Sequence, residues 1–160
     1  MTFYEKQTDP TTPMHWYGNM QADYLYPSGI SGNKFFKHII KNDTFLAVKC
    51  PKCKKTFFPP RIYCDDCFLE IPDSDWIEIP AKGKVELFTI ATVDTNGVKL
   101  EKPKIIGMIN IDETDGTLLG IIKTNDLEED LRGTQVEAVF KSQNKREGTL
   151  KDILYFKKIG

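Results

Sequence analysis

Hydrophobic positions follow two different rhythms along the chain. Phe35, Phe36, Ile39 and Ile40 share one face at helical spacing, with Lys34, Lys37, His38 and Lys41 on the other. This predicts a short amphipathic helix capped by Ser31 and ended by Asn42-Asp43. Beyond it the rhythm becomes that of strands. Thr44-Phe45-Leu46-Ala47-Val48 forms one β-prone run, and Thr56-Phe57-Phe58 reads as its return strand. Val85, Leu87, Thr89, Ala91 and Val93 alternate with other residues and are expected on one face of a longer strand. Asn96-Gly97 marks a turn. Ile105 to Ile111 and Leu118 to Thr124 are two further strands, joined by Asp112-Glu113-Thr114-Asp115-Gly116 as a hairpin turn. Asn125 to Leu131 carries acids in its first turn and stops near Gly133, which predicts a short helix. Gln135 to Lys141 and Asp152 to Phe156 complete the strands.

Five strands with a helix between the third and fourth match the order of an OB-fold barrel, with an SH3-like barrel as the competing architecture. Closing the sheet removes its exposed edges, which lets so few residues be stable. The expected fold is mainly β: an N-terminal helical segment, a small hairpin unit, and a C-terminal five-stranded OB-fold barrel. The expected domains are residues 1–43, 44–70 and 71–160. Residues 68–82, with Pro72, Asp73, Ser74 and Pro80, read as a link, and Trp76 and Ile77 are expected to pack on the barrel. Residues 1–30 are rich in aromatics (Phe3, Tyr4, Trp16, Tyr17, Tyr24, Tyr26), and Pro10, Pro13 and Pro27 argue against one long helix. Such a segment either packs on its own domain or offers aromatic side chains to a partner.

The chemistry is concentrated between Cys50 and Cys67. The only four cysteines lie there as Cys50-Pro51-Lys52-Cys53 and Cys64-Asp65-Asp66-Cys67. A short turn between two thiolates directs both sulfurs to one point, and two such turns complete a tetrahedral shell for one structural zinc ion. Lys49, Lys52, Lys54 and Lys55 favour the thiolate forms. Two disulfides, two redox pairs or four unrelated buried cysteines are the competing readings, and the lack of a secretory signal at Met1 to Lys6 counts against the first. A shell of four cysteines leaves no position open for substrate, so the metal is expected to fold the segment rather than catalyse. The layout, a hairpin with a cysteine turn at each end, is that of a rubredoxin-like zinc ribbon. With the shell complete, His38 is expected at the surface, and His15 has no partner motif.

Composition narrows the functional classes. The net charge is −1, with 40% hydrophobic and 28% charged residues, as in ordinary globular proteins. Charge is uneven: residues 49–67 carry +3 and residues 68–160 carry −4. A chain devoted to polyanions usually carries a larger basic excess. No apolar run reaches the roughly 20 residues a membrane span needs, and a cytoplasmic location is expected. The chain contains no GxSxG, HExxH or phosphate-binding glycine loop, and no cysteine outside the two pairs. Asp112, Glu113 and Asp115 are a carboxylate cluster, expected to face water.

Several stretches together resemble the acyl-CoA-associated zinc-ribbon/OB-fold proteins, long catalogued as a domain of unknown function, and in particular the archaeal members. They are Tyr26 to Phe36; the two cysteine pairs with Phe58-Pro59-Pro60-Arg61 between them; Gly83-Lys84-Val85; Leu131 to Val136; and Gly148 to Phe156. The likeness runs from about residue 15 to the C-terminus. Asp65 and Thr134 depart from the usual pattern without touching a cysteine.

The resemblance implies a non-catalytic scaffold or accessory subunit for thiolase-superfamily enzymes. Its partners would be acetoacetyl-CoA thiolase and 3-hydroxy-3-methylglutaryl-CoA synthase of the mevalonate pathway, with acyl-CoA as ligand. In that reading Arg61, Lys52, Lys54 and Lys55 meet CoA phosphates, while Phe57 or Phe58 lies against the pantetheine or simply covers the zinc turn. The alternative is a nucleic-acid-binding zinc-ribbon/OB-fold module. Membranes are not expected as partners.

Overall fold

The computed structural model describes residues 26–159 apart from 95, 125 and 128. The aromatic positions Phe3, Tyr4, Trp16, Tyr17 and Tyr24, and His15, lie outside the described residues.

Among the described residues one α-helix, α1 (Gly29–Lys41), precedes eight strands: β1 (Thr44–Lys49), β2 (Thr56–Phe57), β3 (Trp76–Pro80), β4 (Lys82–Val93), β5 (Lys99–Ile111), β6 (Thr117–Lys123), β7 (Gln135–Phe140) and β8 (Ile153–Lys158). The helix starts three residues earlier than a cap at Ser31 implied, with Ser28 at its cap position. Gly29 makes that entry at φ +72°, a left-handed conformation that only glycine adopts without strain. Phe35 and Ile39 form the buried stripe, as the spacing predicted.

The strands form two sheets. The first has the order β2-β1-β3; the second is a closed barrel, β4-β5-β6-β8-β7, whose neighbours are antiparallel except the parallel pair β6–β8. That strand order and single parallel pair are those of the OB-fold. Val85, Ile105, Ile109, Ile111, Leu118, Ile122, Val136 and Phe156 are buried in the barrel.

Four differences from the sequence reading have physical causes. The link at 68–82 supplies β3, which pairs with β1 from Trp76↔Val48 to Pro80↔Thr44. The flanking prolines cost nothing there, because Pro72 precedes the strand and Pro80 ends it. Trp76 packs beside the cysteines rather than the barrel, and Ile77 joins the main core. A register shift between Val85 and Leu87 breaks the expected alternation in β4. Val85 is buried, whereas Leu87 is 59% exposed, because a bulge swaps the faces of the residues that follow it. No described residue between β6 and β7 is helical; Leu131 of that stretch instead drops fully into the core.

One apolar core joins helix, first sheet and barrel, and aromatic rings bind the joint. Phe45 of β1 lies 5.1 Å from Phe58, 5.8 Å from Phe140 of β7 and 6.2 Å from Phe35 of α1. Arg146 closes the far side. Its buried guanidinium donates to the carbonyls of Ile39, Asn42 and Lys141, pairs with Asp43 and lies 5.1 Å over the Phe140 ring. Two of those carbonyls are at the end of α1, where no helical donor remains to satisfy them.

The β5–β6 hairpin turn anchors the first sheet to the barrel. Asp115 donates its N–H to the carbonyl of Thr56, and its carboxylate accepts the Thr56 N–H. Gly116 sits so close that an added Cβ would lie 1.8 Å from the Phe58 carbonyl oxygen. Gly116→Ala is therefore expected to cost about 1–3 kcal/mol, read as a lower midpoint in chemical denaturation. Gly97→Ala makes a control, because its added Cβ meets nothing and its only cost is the left-handed φ of +78°.

Candidate metal centre and the surfaces around it

The two cysteine turns are near copies of each other. In the first, the N–H of Lys54 donates to the Cys50 carbonyl (3.0 Å) and that of Cys50 to the Lys55 carbonyl (2.9 Å). In the second, Phe68 donates to Cys64 and Cys64 to Leu69, both at 2.9 Å. Each turn needs a left-handed residue just after its second cysteine, at Lys54 (φ 65°) and Phe68 (φ 54°). The chain accepts strain at two non-glycine positions to aim its sulfurs.

The result is one convergent cluster. All four Sγ atoms lie within 4.8 Å of one another, and Cys53 and Cys64 are 3.6 Å apart. A zinc–sulfur bond of about 2.3 Å implies tetrahedral edges of about 3.8 Å, so the cluster has the right size for one zinc ion. No disulfide joins any pair. The electrostatics suit a cation as well. The backbone N–H of Cys53 holds the Cys50 thiol down to about 6, whereas burial pushes Cys67 up to about 12, helped by hydrogen bonds to the other three sulfurs. Four thiols this close resist ionising together, and a divalent cation removes that penalty. The zinc reading of the cysteines therefore fits on both size and charge.

Around the cluster pack Val48, Phe57 and Ile71, with Trp76 against them. Phe57 lies beneath Arg61, whose guanidinium is 4.6 Å from the ring centroid. Phe58 turns the other way into the main core at 2% exposure, 5.7 Å from Phe35. The aromatic cluster seals the Phe58 ring within the core. Phe57 is 7% exposed and serves as wall of the metal site. Of the basic candidates, Arg61 pairs with Asp65 and Lys55 with Asp66, while Lys52 and Lys54 are exposed. Asp66 raises the affinity of the Lys55 amine for its proton. The Lys55–Asp66 pair links the two cysteine turns.

His38 is half-buried rather than fully at the surface. Its Nε2 lies 2.9 Å from the Thr44 hydroxyl, which donates to Glu78, and its Nδ1 faces the Asn42 amide at 3.1 Å. Burial lowers its pKa against the opposing pull of Glu78, which favours the neutral imidazole. Asp112, Glu113 and Asp115 lie in the hairpin turn as expected, but Asp115 is occupied by the Thr56 backbone.

Two features escaped the sequence reading. Asp152 is fully buried and accepts N–H groups from Glu147, Gly148 and Thr149, with the Lys141 amine at 3.2 Å. The second is an apolar row on the outside of the barrel. Leu87, Met108 and Leu119 stand side by side across β4, β5 and β6, with Ile106 opposite Ile121 beside them. Leu119 is 70% exposed. The signal was present: β6 reads Leu-Leu-Gly-Ile-Ile, apolar without alternation, where a strand with one wet face should alternate.

The fold and site define a zinc-ribbon protein whose ribbon is fused through a shared core to a closed five-stranded barrel. Comparison with known proteins agrees. Residues 41–69 match the family model described as ChsH2, rubredoxin-like zinc ribbon domain. The chain is 28% identical over 106 residues to a DUF35 domain-containing scaffold protein of Methanocaldococcus jannaschii, covering 66% of this chain and 74% of that one. A DUF35-family protein of unknown function from Sulfolobus solfataricus superposes with a TM-score of 0.58 at 26% identity, covering 81% and 84% of the two chains. The structure named Ltp2-ChsH2(DUF35) aldolase superposes with a TM-score of 0.54 at 18% identity, covering 78% and 91%. The resemblance read from the sequence is borne out: the chain carries a ChsH2-type zinc ribbon and has relatives among the DUF35 proteins.

Proposed function

We propose that this chain is a non-catalytic accessory subunit. It holds thiolase-superfamily enzymes together and helps bind or channel acyl-CoA between them, from acetoacetyl-CoA thiolase to 3-hydroxy-3-methylglutaryl-CoA synthase. The observation that carries the reading is the division of labour in the chain. Its metal chemistry is a closed set of four thiols, while its barrel presents leucine, methionine and isoleucine outward. A metal with no open position folds but does not catalyse, and an exposed apolar sheet face suits a partner. The similarity to a protein named as a scaffold supports the same reading. A fold neighbour whose name joins ChsH2(DUF35) to an aldolase supports pairing with an enzyme.

The chemistry gives such a subunit a use. Thiolysis equilibrium disfavours acetoacetyl-CoA, so handing it directly to the synthase draws the first reaction forward. Tethering the two enzymes raises the local concentration of the intermediate without any new bond-making group. The nucleic-acid alternative weakens, because two of the five ribbon cations already pair with Asp65 and Asp66.

A coupled assay tests the proposal. Adding the chain to thiolase and synthase is expected to raise the rate of 3-hydroxy-3-methylglutaryl-CoA formation from acetyl-CoA. The chain alone is expected to turn over neither acetyl-CoA nor acetoacetyl-CoA. Turnover by the isolated chain, or a coupled rate indifferent to it, contradicts the proposal.

A further inference from the structure

Strand β6 is paired along nearly all its length on one side only. It meets β5 from Thr117 to Ile122, but it meets β8 only at Ile122 and Lys123. Above that short contact the two strands part, and a cleft of about 260 Å³ opens between them. Leu119 and Ile121 line one wall; Leu150, Ile153, Leu154 and Tyr155 line the other. The cleft thus combines a sheet edge whose backbone groups lack a second strand with apolar walls, and it continues onto the outward row of Leu87, Met108 and Ile106. Such an edge is a template for another strand.

The charges at its rim select the occupant. Lys151 lines the cleft, and Lys123 stands at the closed end, 4.9 Å over the Tyr155 ring. On that side Glu129 is already paired with Lys158. A second copy added antiparallel to β6 would bring Lys123 and Lys151 of both chains to one seam, where like charges repel. The structure assigns the β6 edge to an extended apolar segment with an acidic flank, contributed by the partner enzyme and added to the barrel as a strand. Backbone hydrogen bonds to β6 hold the segment, the cleft takes its alternate side chains, and Lys151 meets its acid.

This inference rests on the scaffold reading and deepens it by naming the surface. The test titrates the chain against acetoacetyl-CoA thiolase and the synthase from its own genome. Leu119→Lys and Ile121→Lys are expected to weaken the wild-type affinity at least tenfold. Lys151→Glu is expected to weaken it severalfold and flatten its salt dependence, while Lys37→Glu on α1 leaves it unchanged. Amides of β6 that point away from β5 are expected to exchange quickly in the free chain and slowly in the complex. Wild-type binding that ignores Leu119→Lys and Ile121→Lys overturns the surface and leaves the scaffold reading standing. Failure of the wild type to bind either enzyme overturns the scaffold reading and this surface with it. A dimer of the isolated chain in sedimentation that Leu119→Lys dissociates, or β6 amides already protected in the free monomer, assigns the edge to the chain itself and overturns the inference.

Discussion

The variant Cys64→Ser is expected to purify without zinc and with the segment from Cys50 to Ile71 unfolded. The ribbon's own buried cluster is Val48, Cys50, Phe57, Cys64 and Ile71, too few apolar side chains to offset the entropy of ordering it. Zinc supplies the difference, since structural zinc in small ribbons contributes on the order of 10 kcal/mol or more. The loss reaches the barrel through Phe58 and the Thr56–Asp115 contact, so the barrel survives at reduced stability. Metal analysis is expected to give one zinc per wild-type chain and none for the variant. Hydrogen exchange is expected to show protection lost in β2 and the cysteine turns but kept in β4 to β6. A chelator should reproduce the pattern in the wild type. A metal-free variant with a protected ribbon contradicts the account.

Asp152→Ala is expected to be the most damaging substitution outside the metal site, at about 3–5 kcal/mol. Burial alone pushes this carboxyl up, but the N–H groups of Thr149, Glu147 and Gly148 and the Lys141 amine outweigh it and hold its pKa below the ordinary carboxylate value. Removing it strands three backbone donors and a half-buried ammonium. The turn it organises also carries Gly148, which lies so near α1 that an added Cβ would come within 3.0 Å of Ile40, so disorder in this turn is expected to loosen the helix as well. The pH dependence has a definite sign. A group whose folded pKa is depressed stabilises the protein above its unfolded pKa of about 3.9 and loses that contribution as pH falls toward its folded value. Wild-type stability is therefore expected to fall below about pH 4 partly through Asp152. Asp152→Asn retains one acceptor, is expected to recover part of the loss at pH 7, and should show a shallower acid limb. Denaturation midpoints across that range check both statements.

Much of this organisation was readable from the residues because it is written in short-range patterns. The cysteine spacing encodes a metal site whatever surrounds it, and the barrel strands announce themselves through apolar runs separated by turns. Long-range terms account for the failures. Trp76 to Pro80 read as a link because its prolines are local punctuation, yet pairing with β1 decided its conformation. The bulge after Val85 depends on the register with Ile109 and Met108, which no pattern within β4 specifies. Asn125 to Leu131 has helical charges, but seating Leu131 in the core overrides them. Asp152 has the sequence neighbourhood of any surface acid, Lys151 before it and Ile153 after it; only the fold encloses it. Phe57 and Phe58 are adjacent, so strand alternation could have told that they part, one to the metal and one to the core.

The most direct measurement of the central claim is the mass of the assembly in solution. The chain, acetoacetyl-CoA thiolase and 3-hydroxy-3-methylglutaryl-CoA synthase from one genome are mixed, and light scattering is recorded behind size-exclusion chromatography, with zinc measured in each peak. The account predicts one peak containing all three proteins, with one zinc per copy of this chain, and separate enzyme peaks when the chain is omitted. Elution of the zinc-loaded chain alone, with the two enzymes unchanged by its presence, would contradict it.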